Sequence, residues 1–138
     1  MATDDRPTVR IEATAEPAFI DAVHEALESL WDAAPEVGDE DRLLFTLAAS
    51  EVATNIVTHA TAGHPIDVAF EASVRSGVIE AAFTDNADPA PVSLLSATMP
   101  GTDAESGRGL ALALAALDAF THESAGGNVW RLRRAVRP

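Results

Sequence analysis

The 138 residues suffice for one compact domain and leave little room for a second. An apolar share of 47% argues against a disordered chain, and the absence of cysteine excludes disulfides, thiolate metal sites and a cysteine nucleophile. A net charge of −13 would repel a nucleic-acid backbone, so no direct nucleic-acid contact is expected, whereas a basic protein partner would be attracted.

In chain order, residues 8–14 (TVRIEAT) alternate and read as a first strand. Pro17 suits the first turn of a helix running to about Ala34, with Phe19, Ile20, Val23, Leu27, Leu30 and Trp31 at helical spacing. Pro35 and Gly38 break it, and a second helix is expected from Asp39 to about Ala60, its first-turn acids favoured by the helix dipole. Gly63 and Pro65 stop that helix. Ile66 to Val74 and Val78 to Thr84 read as two paired strands, joined at Arg75-Ser76-Gly77 by a tight turn with glycine available for a positive φ.

From Asp85 to Ser106 the composition shifts to Pro, Ala, Ser, Thr and Gly, a long irregular segment of the kind that is usually functional. A helix from Gly109 to about Leu117 follows, then strands near Ala119–Glu123 and Asn128–Ala135 joined at Gly126-Gly127. The order β-α-α-β-β-loop-α-β-β predicts an α+β fold, a two-layer sandwich whose mixed, mostly antiparallel sheet carries its helices on one face.

Other absences narrow the function. All nine cationic side chains are Arg, so a lysine-bearing phosphate loop and lysine-based catalysis are both impossible. The polar start MATDDRPTVR is no signal peptide, and no run of about eighteen apolar residues is free of charge. The expectation is a cytoplasmic domain without a membrane segment.

Three features carry chemistry. On the second helix, at about 100° per residue, Leu44, Leu47, Ala48 and Val52 form an apolar face. Glu51 and Asn55, four apart, are expected to project from its middle, where a carboxylate needs a compensating partner such as a bound cation. The structural alternative is a rotated helix with Glu51 exposed and Asn55 bonded to a loop. His59 continues the stripe one turn on, whereas His24, His64 and His122 lack the spacing of a metal site. Next, Asp85-Asn86 follows an apolar strand directly, a position that also suits an ordinary turn former. Last, Ser106-Gly107-Arg108-Gly109-Leu110 opens a helix, where glycines let backbone N–H groups approach a phosphate; the same pattern also serves ordinary loop-to-helix junctions.

Taken together in this order, FTLAASEVATNIVTHA, the Asp85 that ends a strand, and SGRGLALALAALD resemble the N, G1 and G2 boxes of the GHKL superfamily of histidine-kinase-like ATPases. The SEVATNIVTHA stretch and the closing GGNVWRLRR are most similar to the branch of anti-sigma-factor serine/threonine kinases. The resemblance implies the Bergerat ATP-binding fold over residues 1–138, with residues 86–106 as the ATP lid, and ATP and Mg²⁺ as cofactors. It implies that Glu51 is the general base and that Asn55 ligates Mg²⁺. It further implies that Asp85 receives the adenine amino group, that Gly107 and Gly109 face the phosphates, and that Asn86 and Leu110 also belong to the nucleotide-binding set. Arg108 would neutralise γ-phosphate charge, and His59 would lie near the phosphates.

The implied activity is phosphorylation of an anti-anti-sigma (STAS-type) antagonist, with sequestration of a sigma factor and a homodimer as the assembly. The first helix and the outer sheet face are both candidates for the dimer interface. One departure stands out: where the family shows glycines after the aspartate, this chain has Ala87 and Pro89. Glycine there would allow a backbone angle that alanine tolerates poorly. A weakly catalytic or non-catalytic partner-binding module of the same fold is therefore the alternative. Arg131, Arg133, Arg134 and Arg137 form an apparent basic patch, in which alternation turns Trp130 and Leu132 inward and Arg131 and Arg133 toward solvent.

Overall fold

A computed structural model describes residues 6–59, 65–87, 111, 115–124 and 126–136, with His59 described in its backbone alone. The elements are β1 (Thr8–Thr14), α1 (Pro17–Ala33), α2 (Asp39–His59), β2 (Asp67–Arg75), β3 (Val78–Asp85), β4 (Ala119–Ser124) and β5 (Asn128–Ala135). They follow the chain order expected from sequence. The expected lid beyond Ala87, and residues 109, 110 and 112–114 of the helix expected at 109–117, lie outside the described residues.

The five strands form one sheet in the order β1-β2-β3-β5-β4. All four strand pairings are antiparallel, so the mixed character expected of the sheet is absent among the described residues. The two-helix connection between β1 and β2 still returns the chain antiparallel to β1. Ser76 and Gly77 close the β2–β3 hairpin with φ of 52° and 77°. Positive values at both positions give the turn whose twist matches the flanking strands.

α1 has Pro17 in its first turn and no side-chain cap. It buries Phe19, Val23, Ala26, Leu27, Leu30 and Trp31. The guanidinium of Arg42 fastens its C-terminal end to α2, donating from Nε to the Val37 carbonyl at 2.7 Å and from Nη2 to the Trp31 carbonyl at 3.2 Å. These bonds pin α2 to the last turn of α1 and to the connection that follows it. Trp31 also meets Phe45 edge-on, with ring centroids 6.2 Å apart. The helices cover one face of the sheet, where Phe83 packs against Phe19 from α1 and Phe70 from β2. Among the described residues, no helix is long and apolar enough to cross a membrane.

The packing corrects two sequence readings. The core side of α2 is centred on Phe45, Ala49, Val52, Ala53 and Ile56. Leu44 is only half-buried and Leu47 is 41% exposed, so Glu51 and Asn55 lie at the border of the buried face and not in its middle. Residues are apolar on several sides of this helix, and its contacts with α1 and the sheet select which side is covered. Arg134 is also not part of a solvent-facing basic patch. It follows Trp130 and Leu132 on the inward side of β5 and is buried against Asp41.

Candidate functional site

Glu51 and Asn55 stand one turn apart on the rim of α2, both half-buried. Asn55 Nδ2 donates to the backbone carbonyl of Glu51 at 2.9 Å. That bond fixes the amide group, so its oxygen is turned away from the helix backbone. The pair presents oxygen atoms only, one amide and one carboxylate, which is the donor chemistry that a hard divalent cation prefers.

Asp85 is positioned by the sheet. Along β3 the buried positions are Ile79, Ala81 and Phe83, and the alternation carries Asp85 to the same helix-covered side. β3 pairs with β5 so that Asp85 lies opposite Asn128 and Phe83 opposite Trp130. The carboxylate consequently meets three N–H donors. Asp85 Oδ1 accepts from the Ala87 backbone N–H and from Asn128 Nδ2, each at 2.9 Å. Asp85 Oδ2 accepts from Trp130 Nε1 at a longer 3.4 Å. α2 packs against β3 and β5 on this same side.

The hairpin between β4 and β5 needs glycine to make this approach. Gly127 has φ of 141°, and a Cβ there would collide with the carbonyl oxygen of Asp85. Gly126, at φ of 74°, has open space around it. Ala87, which stands in place of a family glycine, is not among the non-glycine residues with positive φ. Its φ therefore lies outside the left-handed region, and its N–H contributes to holding Asp85.

Asn86 is occupied with the neighbouring strand. Its Oδ1 accepts the Asp67 backbone N–H at 2.9 Å, and its Nδ2 lies 3.4 Å from Asp67 Oδ2. It therefore ties the end of β3 to the start of β2. Gly107, Arg108, Gly109 and Leu110 fall outside the described residues, as does the side chain of His59.

A cavity of about 680 Å³ opens at the ends of β1, β2 and β3, against Thr14, Asp67, Thr84, Asp85 and Asn86. Another of about 380 Å³ lies on the outer sheet face among Glu71, Glu80, Arg131 and Arg133. Neither reaches Glu51 or Asn55, and the second lies on the side of the sheet away from the helices. The donor arrangement around Asp85, more than either hollow, marks the site.

Several residues escaped the sequence reading. Asn128 and Trp130 join the site because the β3–β5 register places them beside Asp85, and His122 joins through β4, where it pairs with Trp130. A clue to Asn128 existed in its place directly after the Gly126-Gly127 turn, where the returning strand must meet the end of its partner.

The profile of the histidine kinase-like ATPase domain matches residues 13–134. No curated protein matches closely enough to count as a relative. Among solved structures, the chain is similar to the histidine kinase domain from the Erythrobacter litoralis EL346 blue-light activated histidine kinase, with a TM-score of 0.58 and 14% identity. That likeness, one of fold, covers 85% of this chain and 60% of the other, so the chain spans less than two thirds of that domain's length. Since the profile match runs from the end of β1 to the buried arginine of β5, the chain belongs to the histidine kinase-like ATPase domain family.

Proposed function

We propose that this domain binds ATP and transfers its γ-phosphate to a serine or threonine hydroxyl of a partner protein. The observation that carries the reading is the Asp85 carboxylate, held by three N–H donors on the side of the sheet that α2 covers. A carboxylate can only accept hydrogen bonds, so the ligand group that completes it must be a donor, and the adenine amino group is one.

Around that anchor each residue has a task. Asn55 would supply its Oδ1 to Mg²⁺, and the bond from its Nδ2 to Glu51 leaves that oxygen available. When bound, the ion offsets the negative charge of the phosphates. Glu51 would take the proton from the attacking hydroxyl as its oxygen forms a bond to the γ-phosphorus and the bond to the ADP oxygen breaks. Gly107 and Gly109 would let backbone N–H groups approach the phosphates, with Leu110 behind them, and Arg108 would neutralise charge developing on the transferred group. His59, one turn beyond Asn55, would lie near the same phosphates.

The motif SEVATNIVTHA supports a narrower assignment, an anti-sigma-factor kinase whose substrate is a STAS-type antagonist and whose other partner is a sigma factor. A net charge of −13 suits a basic partner surface. The working form would be a homodimer. The test is incubation of the chain with Mg²⁺-ATP and STAS-domain proteins, with γ-phosphate transfer followed by mass spectrometry. Transfer that disappears in Glu51→Gln supports the assignment. Partner binding without transfer, unaffected by Glu51→Gln, would instead identify a non-catalytic binding module.

A further inference from the structure

Asp85 is one end of a directional chain of hydrogen bonds that crosses three strands. As a carboxylate it accepts only, so Asn128 must turn its Nδ2 toward it, as the 2.9 Å bond shows. The amide oxygen of Asn128 then faces β4. There it accepts from His122 Nε2 at 2.8 Å and from Ser124 Oγ at 3.1 Å. Since that oxygen has no proton to give, His122 must carry its hydrogen on Nε2. His122 is itself held against Trp130, with ring centroids 4.1 Å apart. Asn128 is buried at 3% exposure, which makes a reversed amide costly, because its oxygen would then face the Asp85 carboxylate with no proton between them.

The two oxygens of Asp85 are left unequal. Oδ1 carries two short bonds, which fill its lone pairs, while Oδ2 carries a single long one. We infer that Asn128, oriented by Asp85 and held at its amide oxygen by His122 and Ser124, is a positioning residue that sets base selectivity. It fixes Asp85 so that Oδ2 is presented as a pure acceptor, admitting a purine with an exocyclic 6-amino group and opposing one with a 6-oxo group. The inference rests on the reading of Asp85 as the adenine contact. It adds three residues, His122, Ser124 and Asn128, to the nucleotide specificity of this chain.

The chain's bonds distinguish this role from packing. His122→Phe keeps a ring against Trp130 and removes the Nε2–H donor, whereas His122→Gln removes the ring and retains an N–H able to reach Asn128. Calorimetric titration of the full chain with Mg²⁺-ATP and Mg²⁺-GTP reads the outcome. Wild type is expected to prefer ATP. Asn128→Ala should weaken ATP on the order of tenfold and leave GTP nearly unchanged, the loss of one hydrogen bond to a charged group. His122→Phe should lower the ATP-to-GTP preference in the same direction, and His122→Gln should restore most of it.

Equal loss of both nucleotides in Asn128→Ala, or His122→Phe behaving as wild type while His122→Gln fails, would overturn the inference and assign the chain of bonds to packing alone. Should Asn128→Ala not fold, the two His122 variants decide the matter by themselves. Failure of the wild type to bind either nucleotide would instead overturn the proposed function, and the inference with it.

Discussion

Arg134 and Asp41 form an ion pair at 2.9 Å inside the core, with side chains only 6% and 4% exposed, although 93 residues separate them in sequence. The same guanidinium donates from Nη1 to the Ala116 carbonyl at 2.6 Å. One arginine on β5 thereby joins the first turn of α2 to the chain entering β4. Two charges taken from water gain little over a well-packed apolar pair, but either one left alone is severely destabilising. Asp41→Ala is accordingly expected to lower unfolding free energy by about 3–5 kcal/mol. In the double variant Asp41→Leu/Arg134→Met most of that loss should return. Urea titration of wild type and the two variants checks this, and a double variant as unstable as Asp41→Ala would refute it.

Gly127 and Gly126 are adjacent and should respond differently. At Gly127 a methyl group collides with the Asp85 carbonyl, while at Gly126 it meets open space. Gly126→Ala should cost about 1–2 kcal/mol, the strain of a left-handed backbone. Gly127→Ala adds a steric term of about 1–3 kcal/mol and displaces the end of β3. Thermal melts should rank the two variants in that order, and the second should also weaken ATP binding.

The β2–β3 turn offers a stabilising change. Ser76 adopts φ of 52°, a conformation that asparagine tolerates better than serine, and the glycine it needs already follows. Ser76→Asn should raise stability by about 0.5 kcal/mol with no effect on nucleotide binding. A fall in denaturation midpoint would contradict the turn assignment.

At the phosphate end, Glu51→Gln keeps the shape of the side chain and removes its basicity. Phosphotransfer should fall at least ~100-fold. ATP affinity should remain within about threefold of wild type, as expected for a group that acts mainly in the transition state. Asn55→Ala should instead abolish the dependence of ATP binding on Mg²⁺. Both residues sit at the border of the helix's buried face, so circular dichroism should show both variants folded. An Asn55→Ala protein whose ATP binding still responds to Mg²⁺ would remove Asn55 from the cation site.

Sequence alone determined the two helices, the five strands and their order, because Phe19, Val23, Leu27 and Leu30 or Ile79, Ala81 and Phe83 declare their period within a few residues of one another. It also located Asp85 at the end of an apolar strand, and the pair Glu51 and Asn55 one turn apart. Only the tertiary structure decided which side of α2 is buried. Leu43 and Leu47 are as apolar as Phe45 and Val52 yet stand 69% and 41% exposed, and no local pattern distinguishes them. Burial there depends on what α1 and the sheet cover. The same holds for Arg134, whose partner lies in another layer, and for the bonds from Asp85 through Asn128 to His122. Those bonds exist because the register of β3, β5 and β4 brings sequence-distant side chains within hydrogen-bonding reach, and register is set by packing the whole sheet.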